Sequence, residues 1–153
     1  MKVIFLDFDG VLNCERYVKQ SEQFGVIIDP EKLKLVKKIV DATGAKIVLS
    51  TSWREHWDKA SEGCDKIGLQ INEIFASADI EIFDKIPEIN LRRAFQIDCW
   101  LSEHPDVTDF VVIDDEFIGA DFMNDRFVKT SNYVDGLEEK DVIKAIEILN
   151  SLT

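Results

Sequence analysis

The sequence predicts an α/β fold in three layers, a mostly parallel central sheet covered by helices on both faces. Three observations carry that prediction. Short apolar runs alternate along the chain with stretches of helical periodicity. The apolar runs are near-continuous rather than alternating, as strands buried on both faces require. Each run also ends in acids or hydroxyls, which suits parallel strands whose carboxyl ends form one ligand-binding rim.

The elements follow in order. VIFLD (3–7) reads as a buried strand. In DPEKLKLVKKIVDATG, Asp29 stands at a helix N-cap, Pro30 at the first helical position and Gly44 just past the end. Leu33, Val36, Ile39 and Val40 share one face of that helix. AKIVLS (45–50) is a second strand, and residues 53–76 form a polar region with helical segments. From Asn90 to Glu103, Leu91, Ala94, Phe95, Ile97 and Leu101 give another helical face. DFVVID (109–114) is a third strand and RFVKT (126–130) a candidate fourth. EEKDVIKAIEILNSL closes the pattern with the stripe Val142, Ala145, Ile146 and Leu149. With no repeat, low-complexity tract or linker, residues 1–153 read as a single domain.

Composition narrows the function classes. No apolar run reaches the roughly 18 residues of a membrane span. MKVIFLDFDG has four apolar residues before an acid, too few for a secretory leader, so a cytoplasmic protein is expected. Cys14, Cys64 and Cys99 form no CxxC pair and read as free thiols rather than zinc ligands or disulfides. A formal net charge of −12 opposes binding of long duplex nucleic acid, whose affinity comes largely from cations on phosphate. The same excess suits carboxylates gathered around a divalent cation.

The strand ends carry the chemistry. VIFL runs into Asp7 and Asp9, IVL into Ser50, Thr51, Ser52, Trp53 and Arg54, and FVVI into Asp114 and Asp115. On parallel strands these groups converge, and four close acids repel one another unless a cation sits among them. An all-oxygen ligand set without His or Cys favours magnesium over zinc. A strand-end carboxylate can attack phosphorus. Asp9, two residues on and on the same side of extended chain, can donate a proton to the leaving oxygen and take one from water. Gly10 lets the chain turn away after the acids. Ser50 or Thr51 can bond the phosphoryl group, and phosphoryl transfer asks mainly for such positioning and charge stabilisation.

DFDGVLN resembles the first motif, DxDG[TV]L[NST], of the haloacid dehalogenase (HAD) superfamily of phosphohydrolases. Ser50 after the second strand and the acid pair of VVIDD resemble its second and fourth motifs. AKIVLSTSWR, VVIDDEF, RFVKT and GLEEKDV together are most similar to the small HAD domains of "Swiss Army Knife" RNA-repair proteins. The resemblance implies a Rossmann-like, HAD-like fold with minimal or no cap. It makes Asp7 nucleophile and magnesium ligand, and Asp9 general acid/base with its backbone carbonyl on the metal. Ser50 becomes the phosphoryl-binding hydroxyl, with Thr51 in reserve. Asp115 becomes the direct metal ligand, supported by Asp114. The family's third motif is a basic residue; Arg92, Arg93 and Lys85 are available, and Arg93 is preferred because it starts the helix leading to Trp100.

Thr51, Arg54 and Gly10 complete the candidate substrate-binding positions. Trp53 reads as core rather than as a stacking platform, His56 and His104 as surface residues, and Asp121 as a weaker candidate for holding a metal-bound water. The lysines of residues 32–38 form a solvated helix face. The first function expected is a magnesium-dependent phosphatase of a phosphorylated small molecule, acting through an aspartyl-phosphate. The alternatives are a 3′- or 5′-phosphatase of nucleic-acid ends and a non-catalytic binding module, which the presence of both Asp7 and Asp9 disfavours. Residues 14–28 and 55–88 are the stretches available for a modest lid.

Overall fold

A computed structural model describes residues 1–116, 121–131 and 135–151, without the side chains of 121 and 122. Five strands are found among them: β1 (Lys2–Leu6), β2 (Lys46–Leu49), β3 (Ile82–Lys85), β4 (Asp109–Asp114) and β5 (Phe127–Lys129). They form one sheet in the order β3-β2-β1-β4-β5, every pair parallel. The helices are α1 (Glu15–Gln20), α2 (Pro30–Thr43), α3 (Lys66–Ser77), α4 (Arg93–Ser102) and α5 (Glu139–Leu149).

Alternation along the strands sorts the helices into two layers. Ile4, Leu6, Ile47, Leu49, Val111 and Ile113 point into one core with Leu33 and Val36 of α2, Ile71 and Phe75 of α3, and Val142 and Ala145 of α5. Val3, Phe5, Val48 and Val112 point into the other, against Ala94, Ile97 and Trp100 of α4. Buried on both faces, these strands are near-continuous apolar runs. α2 begins and ends as its sequence requires: the Asp29 carboxylate accepts from Glu31 N, Pro30 opens the helix, and Gly44 closes it at φ 72°.

Strand β3 is absent from the sequence reading. Its four residues are only partly apolar, and it lies at the sheet edge, where one flank needs no partner. The stretch 55–88 is therefore mainly body rather than lid, because α3 buries Ile71 and Phe75 and β3 pairs with β2. Between β1 and α2 the loop of residues 7–29 carries one short helix, the six-residue α1. Among the described residues, no helix is long and apolar enough to cross a membrane.

The chain builds outward from β1 through β2 to β3, then returns to place β4 on the other flank of β1. Strand order thus reverses between β1 and β4, and open α/β sheets bind ligands outside the carboxyl ends of the strands at such a point.

Candidate active site

Leu6 of β1 stands in register with Leu49 of β2 and Ile113 of β4. One residue further on are Asp7, Ser50 and Asp114. Backbone bonds continue the ladder there: Asp7 N donates to Ile113 O at 3.2 Å and Ser50 N to Leu6 O at 3.0 Å. These residues share the strand parity of Phe5, Val48 and Val112, whose side chains face α4. The first residue of α4, Arg93, accordingly reaches the rim, with Nη1 3.7 Å from Asp114 Oδ2.

Asp7, Asp114 and Asp115 each offer a carboxylate oxygen, all within 4.8 Å of one another. Burial is the largest influence on each, and each pKa is raised from 3.8 to about 6. For Asp7, the Arg93 charge and the Phe8 N–H pull against burial, while Asp115 adds to it. For Asp114, the charge of Asp7 adds to burial, and the Glu116 N–H and Arg93 oppose it. For Asp115, the bond to Asp114 and then its charge reinforce burial. Mutual repulsion in a poorly hydrated corner is what a bound cation relieves. Three carboxylates with no nitrogen or sulfur in the cluster fit a hard cation such as Mg²⁺.

Asp9 stands apart from that cluster and is held by two N–H donors. Asn13 Nδ2 donates to its Oδ1 at 3.1 Å, and the indole Nε1 of Trp53 to its Oδ2 at 3.0 Å. Asn13 is itself fixed, donating also to Ile27 O and accepting from Gly10 N. Trp53 is half-buried and packs against the core as the sequence reading has it, yet its polar edge is in the site. Asn13 and Trp53 are the site residues that the sequence reading leaves unassigned. Only the Asn at the end of DFDGVLN offered a signal, since a Trp following a hydroxyl cluster has no local mark of this contact.

Gly10 takes φ 80°, and a Cβ there would lie 2.3 Å from Asp115 Oδ2. The turn thus lets the backbone pass against a candidate metal ligand. Its backbone groups bond within the chain, N–H to Asn13 and C=O to the Thr130 hydroxyl at 2.6 Å.

The hydroxyls after β2 divide their duties. Thr51 Oγ1 accepts from Trp53 N and caps the short 3-10 helix of residues 52–56. Ser50 is fully buried, and its Oγ has no hydrogen-bond partner among the described residues. A buried hydroxyl without a partner is costly unless a ligand supplies one.

Arg54, a candidate for a substrate contact, has its guanidinium bonded within the chain. It is buried, with its guanidinium donating to the carbonyls of Ile86, Ser50, Thr51 and Pro87 and to Gln96 Oε1. It ties the end of β2 and the loop after β3 to α4, the helix that carries Arg93. Lys85 is also committed, donating to Arg54 O and Trp57 O, and Arg92 stands exposed just before α4. Of the three bases weighed for the third motif, Arg93 is the one with its charge beside Asp7 and Asp114.

The two histidines are half-buried and partnered rather than plain surface residues. His56 Nδ1 lies 2.6 Å from Asp65 Oδ2, and the His104 ring stacks on Trp100 at 3.7 Å. The side chain of Asp121 lies outside the described residues.

An all-parallel, Rossmann-like sheet with acids at its switch point is the architecture of a HAD-type domain. Residues 3–142 match the family described as "HAD domain in Swiss Army Knife RNA repair proteins", and the chain belongs to that family. No curated protein and no solved structure matches it significantly.

Proposed function

We propose that this HAD domain is a magnesium-dependent phosphomonoesterase working through an aspartyl-phosphate on Asp7. The observation that carries the reading is the convergence of Asp7, Asp114 and Asp115 within 4.8 Å. Arg93 beside them, at 3.7 Å from Asp114, supports it. Asp7, Asp114 and Asp115 would hold the cation, with the Asp9 backbone carbonyl as a further ligand. When bound, it supplies positive charge against the phosphoryl oxygens and the crowded acids.

The chain's own residues divide the remaining work. A carboxylate oxygen of Asp7 attacks phosphorus, and the bond to the alcohol oxygen breaks. Asp9 gives that oxygen its proton, so the alcohol leaves neutral. Asp9, now a carboxylate, takes a proton from a water whose oxygen attacks the phosphoaspartyl phosphorus. Inorganic phosphate departs, and Asp7 and Asp9 return to their starting states. The Ser50 hydroxyl donates to a phosphoryl oxygen, giving its buried Oγ the partner it lacks among the described residues. Arg93 balances the charge of nucleophile and phosphate together.

The first substrate reading is a phosphorylated small molecule. The second, a 3′- or 5′-phosphate on a nucleic-acid end, is favoured by the family match and by the small insertion after β1. So small an element leaves room for a phosphate on a large body. The net charge of −12 disfavours gripping a long strand but not processing its end.

The test is hydrolysis of an aryl phosphate and of a 3′-phosphorylated oligonucleotide, with and without Mg²⁺, by the native protein and Asp7→Asn. Metal-dependent turnover that vanishes in a folded Asp7→Asn variant is expected, and the two rates rank the substrate readings. Full activity in the variant overturns the nucleophile assignment. A folded native protein that binds Mg²⁺ and turns over neither substrate leaves a highly selective enzyme or the binding module.

A further inference from the structure

We propose that Trp53 is a positioning residue for Asp9, its indole N–H fixing the carboxylate so that the leaving oxygen receives its proton. The inference rests on the acid/base role of Asp9 given above. Asp9 lies beyond the end of β1 on an exposed turn, where a short carboxylate has rotational freedom. Both oxygens are nonetheless restrained, Oδ1 by Asn13 at 3.1 Å and Oδ2 by Trp53 at 3.0 Å. The first donor comes from the same loop and the second from across the rim, 44 residues along the chain.

Trp53 is built to hold still. Its backbone N–H is bonded to Thr51 Oγ1 at 3.3 Å, and its ring packs on the core. The His56 ring stands 5.9 Å from it at 40°, and His56 is anchored by Asp65 at 2.6 Å. An indole N–H donates only, with no lone pair to accept a proton from Asp9. A carboxylate has about four lone-pair sites, so two N–H bonds leave sites for the catalytic proton while fixing where they point. Packing alone would be served equally well by Phe; the bond to Asp9 needs the nitrogen.

This role has a leaving-group signature. Proton donation matters most when the departing alkoxide is basic and little when it is an activated phenoxide. Trp53→Phe keeps the ring and removes the N–H. Its kcat/KM is expected to fall roughly 10- to 100-fold on glycerol 2-phosphate, part of the 10²–10⁴ that a positioned acid supplies. On 4-nitrophenyl phosphate the fall is expected to stay below about threefold. Asp9→Asn and the double variant close a cycle: with Asp9 already neutralised, removing the N–H costs nothing further.

Equal loss on both substrates, no loss on either, or the same loss in the Asp9→Asn background each overturns the inference, and the last does so even if Trp53→Phe is less stable. Failure of the underlying reading looks different. In that case Asp9→Asn itself shows no leaving-group dependence, or the native protein turns over neither ester nor a 3′-phosphorylated oligonucleotide.

Discussion

Asp114→Asn should stabilise the metal-free protein above neutral pH and remove most of the stabilisation that Mg²⁺ confers. Asp114 titrates from 3.8 in an unfolded chain to about 6 in the fold, chiefly because of burial and then because of Asp7. Below 3.8 both states are protonated, and the group takes nothing from stability. Between that value and about 6 the folded state binds the proton more tightly, so rising pH erodes stability. Above the folded value the penalty is constant, and the displacement corresponds to about 3 kcal/mol. Asparagine keeps the oxygen that accepts from Glu116 N. Its amide also faces the Arg93 cation, which takes back about 1 kcal/mol and leaves a gain on the order of 2 kcal/mol. For a chain of this size that is a rise in Tm of roughly 4–8 °C. The assay is thermal melting by circular dichroism in a chelator at about pH 7.5 and about pH 4, where the difference should shrink towards zero. Saturating Mg²⁺, near 100 times Kd, should then add about 2.7 kcal/mol to the native protein and much less to the variant. A variant that melts at or below the native protein at the higher pH refutes the reasoning. Equal differences at both pH values would trace the effect to packing rather than charge.

Two other outcomes follow from single features of the rim. Ser50→Ala removes a buried hydroxyl without a partner among the described residues, so urea unfolding should show stability unchanged or raised by about 1 kcal/mol while kcat/KM falls at least tenfold. Loss of both together would make Ser50 a structural residue. Gly10→Ala forces a side chain into φ 80° and within 2.3 Å of Asp115 Oδ2. It should cost more than about 1 kcal/mol in a urea melt and weaken Mg²⁺ binding measured by calorimetry. Unaltered metal affinity would show that Asp115 is no ligand.

Much of this was legible in the sequence because its causes are local. Asp29, Pro30 and Gly44 announce α2, and apolar runs ending in Asp7, Ser50 and Asp114 announce buried parallel strands that meet at one rim. β3 was not legible because Ile82–Lys85 is short, half polar and at an edge. The intrachain partners of Arg54 were not legible for a different reason. Next to a hydroxyl cluster it looks like a phosphate ligand, and only the packing of α4 against β3 and β2 turns its donors inward. The choice among Lys85, Arg92 and Arg93 rested on where α4 begins over the sheet. The link from Trp53 to Asp9 spans 44 residues and leaves no periodic trace.

The central place of β1 has a consequence for how the protein comes into being. This strand is synthesised before every one of its neighbours, with β2 joining one flank and β4 reaching the other only after most of the domain has been made. Thr130, 120 residues along, completes the hold on the Gly10 turn. A nascent or truncated chain therefore exposes an apolar segment with an open edge and no working chemistry, and chaperones would meet it in that form. The proposed activity would report completed folding, since the acids are gathered by the same long-range pairing that closes the sheet.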